Sequence, residues 1–592
     1  MGPMLRTNRT GAVVAAALLV AAVIGFAGIN PYLPGGGDNA GYIAEAESLL
    51  TLGHRARLYE AGTPPATLKP PLFPVLLAGV ESLFGRNVAA MKALLALFAV
   101  GAVAAAWWAL RVGLDEGGHD RDGRGTTGVS PVDCCGSSGR QAAFVALWFA
   151  LSPALTRYTH DVISDVPFAL CALLAFGLAA RLARPGGRAW AVPVLAGVVL
   201  AAGMLRAAGV IVAGACGGYL ALETLVRRRE EGGVRRAAGA ILCFLLALAV
   251  LAYFSQGEQS YAAHLKNTPG TSGFWYSALA DRLARTVRFY VVMLPGEIAA
   301  YPLFGPEFAI YVLAAVTGGV ALAGAVTLLR RRCWLIPVVF LLYHAALLLA
   351  PWLDRRYYLP TLPLLMALLW CGAETIIGWA HSLSRAVRSA LVFLLTLAPL
   401  VSLIATVLVF GQREPEALTI VEWLAGAVAA AALACWVWRA ASLSAATTDG
   451  LRNRLGQTLA AVLLSLALVR GLSENVAAEW HAGPAPTGRG WPELYAAAQY
   501  LGAEAAPADA VVSARPSLIW FWAGLRGIPV PRTDDSSVVR TRLAGARWLV
   551  LDEIGEDQVA PRFLTPYVRA HPAEWVLRWR QGNTCVFRRR GG

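Results

Sequence analysis

The chain has 592 residues, with 51 Lys and Arg against 37 Asp and Glu, a formal charge of +14. Only 15% of the residues are charged and 57% are hydrophobic, more than soluble domains carry. These proportions exclude an intrinsically disordered chain, a coiled coil and an ordinary cytosolic enzyme, and they indicate a polytopic membrane protein with some water-exposed mass.

Only three basic residues are lysines: Lys69, Lys92 and Lys266. Most cysteines lie in apolar runs, Cys134 and Cys135 are adjacent in a polar loop, and Cys585 lies in the polar tail, so no disulfide framework is expected. Arginine collecting on cytoplasmic loops accounts for the positive balance without a nucleic-acid partner.

A span needs about 20 mostly apolar residues. The first, Gly11 to Ile29, follows Arg6 and Arg9 and reads as an uncleaved signal anchor. Further spans are expected at 87–111, 141–158, 165–183, 189–205, 207–226, 237–255, 308–329, 333–352, 358–380, 389–410, 418–438 and 458–476. The fold class is therefore a polytopic α-helical membrane protein of about 13 transmembrane helices. The run Pro71 to Phe84 is too short and too broken by proline to cross, and reads as a juxtamembrane or re-entrant helix. Arginines crowd alternate loops, from Arg6 and Arg9 through Arg184 and Arg188 and Arg330 to Arg332 to Arg452 and Arg454. They place the N-terminus in the cytoplasm of a cell or inner membrane.

Three large stretches are then extracytoplasmic: 30–86, 256–307 and the tail from about Asn475. The expected organisation is a transmembrane module over 1–476 and a small α/β domain over 477–592. The tail predicts a helix near Trp491 to Ala505, strands at Ala510 to Ala514 and Arg547 to Asp552, and a hairpin joining Trp575 to Arg580 with Thr584 to Arg589 across Gln581-Gly582-Asn583. Loop 113–140 is rich in glycine and charge and reads as flexible. In 256–307, Tyr261, His264, Trp275 and Tyr276 suit an interfacial helix with an aromatic belt or the lining of an acceptor groove.

Ionisable residues gather at outer span ends rather than near span middles, with Glu374 an exception. A coupled transporter places charge near the midplane. An outer interfacial site suits an enzyme that takes a lipid-linked substrate from the membrane. Asp38 follows Gly35-Gly36-Gly37 and precedes an expected helix, Asn39 to Leu52, that ends at Gly53. It reads as an N-cap, as a catalytic carboxylate, or as both. Lys69-Pro70-Pro71 reads as a snorkelling interfacial lysine or as a phosphate ligand. The stretch Arg157 to Pro167 holds His160, Asp161 and Asp165. Asp165 can cap the span that follows, and if the segment is helical Asp161 and Asp165 share a face. A divalent metal is conceivable there with Asp38 and His160, but no Asp-X-Asp or Cys/His ligand spacing appears and none is expected. Arg206 interrupts an apolar stretch at an outer turn, and Arg355-Arg356-Tyr357-Tyr358 opens another span. Both suit interfacial anchoring or recognition of a polyprenyl phosphate by arginine forks.

In order, the segments Gly37-Asp38 with Tyr42, Lys69-Pro70-Pro71-Leu72-Phe73-Pro74 with Leu83-Phe84-Gly85, Ser164-Asp165-Val166-Pro167-Phe168, and Arg356-Tyr357 with Leu359-Pro360 and Pro363 resemble the glycosyltransferase C superfamily. The nearest likeness is to bacterial homologues of protein O-mannosyltransferases and to lipid A aminoarabinose transferases. The resemblance implies an inverting enzyme that moves a sugar from a polyprenyl-phosphate donor, taken from membrane lipid, to an extracytoplasmic acceptor: a protein, a glycolipid or a cell-wall glycan. It implies Asp38 as base or acceptor-positioning carboxylate and Asp165 as a second acid. It also implies Lys69, Arg206 and Arg356 at the donor phosphate, Tyr42, His160, Asp161 and Tyr357 as neighbours, and no cofactor. A flippase for a lipid-linked sugar, or a non-catalytic envelope assembly protein, is the competing expectation.

Overall fold

The computed structural model describes residues 3–115, 135–254, 307–380 and 482–591, apart from short breaks at 34, 68, 185, 228–231, 350–354, 487–488, 532, 534 and 555–558, and includes residue 284. The expected spans at 389–410, 418–438 and 458–476, the stretch 256–307 apart from residues 284 and 307, and the centre of loop 113–140 lie outside the described residues. The chain divides into two compact units. One takes in Met1–Ala27, Ala96–Tyr158 and Asp165–Ala477, and the other Gly28–Leu95, Thr159–Ser164 and Ala478–Gly592.

The first unit is helical among its described residues. It contains α1 (Pro3–Ala27), most of α4 (Val88–Leu114), α5 (Cys135–Ala150), α6 (Pro153–His160) up to Tyr158, and α7 (Asp165–Ala183). It continues with α8 (Ala191–Leu205), α9 (Gly209–Val226), α10 (Gly233–Phe254), α11 (Glu307–Arg330), α12 (Leu335–Leu349) and α13 (Leu362–Ala380). Among the described residues, five helices are long and apolar enough to cross a membrane: Thr10–Ala27, Val88–Leu114, Asp165–Ala183, Gly209–Val226 and Gly233–Phe254.

Helix α10 shows the logic of such a chain. Ile241, Phe244, Leu245, Leu248 and Leu251 are exposed, while Ala240, Cys243, Ala247 and Val250 are buried. Small residues face the neighbouring helices and large ones face outward, as packing in a lipid solvent favours. One expectation is corrected. The stretch read as a single span over 141–158 is two helices, because Pro153 has no N–H to continue α5 and instead opens α6 at its first position. Between α8 and α9 the chain reverses tightly at Arg206, where a Cβ on Gly209 would fall on the backbone of Ala202 and Gly203.

The second unit joins the first long loop to the tail. Its helices are α2 (Gly37–Leu52) and α3 (Leu72–Phe84). Helix α3 has 13 residues, as the proline-broken run predicts. The tail adds α14 (Trp491–Glu504), β1 (Val511–Ser513), α15 (Pro516–Ala523), β2 (Gly527–Pro529), α16 (Ser536–Leu543), β3 (Trp548–Leu551), a π turn at Ala560–Leu564, α17 (Thr565–Ala570), β4 (Trp575–Gln581) and β5 (Thr584–Arg589). The sheet order is β2-β1-β3-β5-β4. Strand β1 is parallel to β2 and β3, while β5 is antiparallel to β3 and β4. Val512, Leu549, Val539, Leu543, Tyr567 and Trp575 fill the core beneath it. The helix at 491, both single strands and the final hairpin follow the sequence reading. The short β2 and helices α15, α16 and α17 did not stand out there, because each is eight residues or fewer.

Helices α11 and α13 meet through glycine. A Cβ on Gly324 would fall on the Leu368 carbonyl, and one on Gly372 on the Val320 carbonyl, while Thr327 and Thr375 hydroxyls bond across the same seam at 2.9 Å. Gly324→Ala or Gly372→Ala must push the helices apart, at a cost of about 1–3 kcal/mol. Melting of the detergent-purified protein should show a clear loss for both. Gly318→Ala, whose Cβ meets nothing within 4 Å, should melt as the parent does.

Candidate functional site

Helix α2 starts on Gly36, whose φ of 126° suits glycine, and stops on Gly53 at φ 71°. The N-cap is therefore Gly36 rather than Asp38. Asp38 stands in the first helical turn, where a carboxylate still gains from the partial positive charge of the helix start. Its side chain is half-exposed.

The Lys69 ammonium sits against this turn. Its Nζ is 3.5 Å from Asp38 Oδ1, donates to the Asp38 carbonyl at 3.1 Å, and lies 4.1 Å from the centre of the Tyr42 ring. A Cβ on Gly41 would come within 2.5 Å of Nζ, so the bare glycine makes the seat. Arg55 fixes the lysine backbone from beneath: Nη2 donates to the Lys69 carbonyl at 2.5 Å and to buried Glu45 at 2.6 Å. The Tyr42 hydroxyl is 3.1 Å from Ser164 Oγ, and its ring meets Phe73 edge-on at 4.9 Å. Tyr59 packs near Gly41, and burial, then the charges of Glu60 and Glu45, push its hydroxyl well above the ordinary range. Sequence reading missed Gly41, Arg55 and Tyr59. Each acts through a contact with a residue distant in the chain, and none stands in a motif.

His160, the last residue of α6, is buried, and Asp161 is half-buried beside it. Residues 161–164 form a bend and turn rather than a helix, so Asp161 and Asp165 do not share a helix face.

The first unit holds a second charged group. Asp165 opens α7, with Pro167 in its first turn, and its buried carboxylate pairs with Arg206 Nη1. The Arg206 guanidinium stacks 5.1 Å from the Tyr357 ring. Tyr357 lies with Arg356 in a 3₁₀ turn, Arg355–Tyr358, and the Tyr343 hydroxyl donates to the Tyr357 carbonyl at 3.0 Å. Among the described residues, no group of three or more His, Cys, Asp or Glu side chains is gathered to hold a metal ion.

A pair of acidic side chains, Glu47 and Glu81, lies along α2 and α3. Burial, then the charge of Glu47, raises the Glu81 carboxyl to about 7, against the opposing pull of Arg86. The folded protein keeps the Glu81 proton over a range where the unfolded chain has lost it. Folding is therefore favoured at low pH, and stability falls as pH rises from 4.5 towards about 7. Thermal melts across this range should show that slope in the parent and a flatter one in Glu81→Gln.

No family model matches the chain, and no curated protein matches it. Solved structures do. The crystal structure of ArnT from Cupriavidus metallidurans bound to undecaprenyl phosphate aligns at a TM-score of 0.56 and 15% identity over 98% of each chain. The apo form of ArnT aligns at 0.54 and 14% over 97% of each chain. The archaeal oligosaccharyltransferase AglB from Archaeoglobus fulgidus, in complex with an inhibitory peptide and a dolichol-phosphate, is a looser likeness at 0.48 and 12%, over 91% of this chain and 69% of that one. With its apolar helices and its near end-to-end likeness to ArnT, this membrane protein has the fold seen in ArnT.

Proposed function

We propose that the chain is an integral-membrane glycosyltransferase that moves a sugar from a polyprenyl-phosphate donor to an extracytoplasmic acceptor hydroxyl, with inversion at the anomeric carbon. The observation that carries this reading is the contact between Asp38 and Lys69 over Gly41 and Tyr42. A half-exposed carboxylate beside a seated ammonium offers a proton acceptor and a phosphate ligand a few ångströms apart. The undecaprenyl phosphate bound to the similar ArnT structure supports a donor of that class.

In this mechanism the acceptor oxygen forms a bond to the anomeric carbon as the bond from that carbon to the phosphate oxygen breaks. The acceptor proton passes to Asp38, and the electron pair leaves on the polyprenyl phosphate. Lys69 stabilises the charge that grows on the departing phosphate. The resting Asp38–Lys69 pair is loose and partly exposed, so it contributes about 0–1 kcal/mol and an incoming phosphate displaces it cheaply. Release of the ammonium then frees the carboxylate to act as base. Asp165 takes a different part: buried against Arg206, it holds that guanidinium over Tyr357. Arg206 and Arg356 are the further cations assigned to the donor, with Tyr42, His160, Asp161 and Tyr357 as neighbours. The acceptor is a protein, a glycolipid or a cell-wall glycan, and the reaction side is the one facing away from the cytoplasm.

Asp38→Asn should lower transfer from a panel of polyprenyl-phosphate sugars by about 10²–10⁴-fold, measured as product mass in reconstituted vesicles, with melting unchanged. Full turnover in that variant would sink the assignment. Donor lipid crossing the bilayer without any new glycosidic bond would replace the enzyme by a transporter.

Lys69→Gln should weaken binding of undecaprenyl phosphate, read by native mass spectrometry, while leaving the melt intact. Arg206→Gln should instead lower the melt, by about 3–5 kcal/mol of folding energy, because it strands a buried Asp165 carboxylate.

A further inference from the structure

We infer that the C-terminal part of the chain positions the Asp38 carboxylate, with Ser517 and Trp491 as positioning residues. The inference rests on the proposed role of Asp38.

The argument starts from Gly35-Gly36-Gly37, the run that delivers the chain to Asp38. Three successive glycines have more backbone freedom than any other tripeptide, which is a poor mount for a reacting group. A base must be held to a fraction of an ångström, and a displacement of about 1 Å can cost about a hundredfold in rate. Something outside the run has to hold it still.

The tail makes that contact at three places. The buried Ser517 hydroxyl, in the first turn of α15, donates to the Gly37 carbonyl at 2.9 Å. The Trp491 indole closes on Gly35, whose Cβ position lies 3.1 Å from the ring. The indole is itself held: the Arg515 guanidinium lies 5.0 Å from its ring, and Arg515 Nη2 donates to the Ile554 carbonyl at 2.8 Å. Further along the loop, the Gly527 N–H donates to the Tyr59 carbonyl at 2.7 Å and the Ala61 N–H to the Gly527 carbonyl at 3.0 Å, so the loop pairs with strand β2. Asp38 and Gly41 lie between these fixed points. The glycines that loosen the run are also what permits the hold, since a side chain at Gly35 would meet the indole and one at Gly37 would come 3.3 Å from Ser517 Oγ.

Lys69 reports on the mount, because its ammonium rests on Asp38 and Gly41. Only three lysines are present, so amine acylation followed by mass spectrometry reads each one separately. Lys92 is fully buried and bonded to Asn30 at 2.9 Å, and serves as a gauge of intact folding. In the full-length protein in detergent, Ser517→Ala and Trp491→Ala should raise Lys69 acylation about fivefold, the scale of one lost hydrogen bond, with Lys92 unchanged. Ser517→Thr, which keeps the hydroxyl, should restore the parent rate. With polyprenyl-phosphate sugars, Ser517→Ala should lower kcat about tenfold at an unchanged donor KM.

Parent-like Lys69 acylation in both alanine variants would overturn the inference. So would Lys92 acylation rising in step with Lys69, since that reports general loosening. If Lys69 responds as expected but the parent transfers no sugar, the positioning contact stands and the enzymatic reading falls. If the parent transfers sugar and Ser517→Ala does so equally well, positioning falls and the enzymatic reading stands.

Discussion

The Lys69 ammonium rests on the first turns of α2 because Gly41 leaves open the space a side chain would fill, and because the Asp38 carboxylate, the Asp38 carbonyl and the Tyr42 ring line that space. An ammonium is a compact, strongly hydrated charge that does not enter a protein surface without such partners. The surrounding residues secure it at one remove. Arg55 holds the lysine backbone and is held by Glu45, while Tyr42 is held by Ser164 and Phe73. Change the space at Gly41 and each of these contacts addresses an empty position.

Asp38 and Asp165 sit in opposite electrostatic settings. Asp38 is half in water and faces its lysine at 3.5 Å. Asp165 is buried and tightly paired with Arg206. Exposed pairs are cheap to break and contribute little, whereas a buried charge deprived of its partner is expensive. The same residue type can therefore serve as an exchangeable group in one place and as a fixed support in the other. That distinction follows from burial alone.

Much of this was legible in the chain itself. Apolar runs broken by arginine loops give most of the described helices of the first unit at nearly the expected places, and proline gives α3 its short length. The hairpin at Gly582 is readable from a glycine that supplies the positive φ of the turn. Other features were not legible. The Ser152-Pro153 break looks like a continuation of an apolar run until the missing N–H is weighed. Asp38 resembles an N-cap because Gly36, the real one, has no side chain to announce it. Gly41, Arg55, Ser517 and Trp491 have meaning only through partners far away in sequence, and local pattern carries no information about such pairs.

The Ser517 hydroxyl and the carbonyl it binds are 480 residues apart. A ribosome releases the first loop long before it makes the segment that steadies it. Until that segment is made, the glycine run is without the Ser517 contact. The contact that steadies Gly37 forms only once the segment carrying Ser517 has been made and folded. The steadied form of the glycine run is thus a late product of synthesis, timed by sequence separation rather than by local folding.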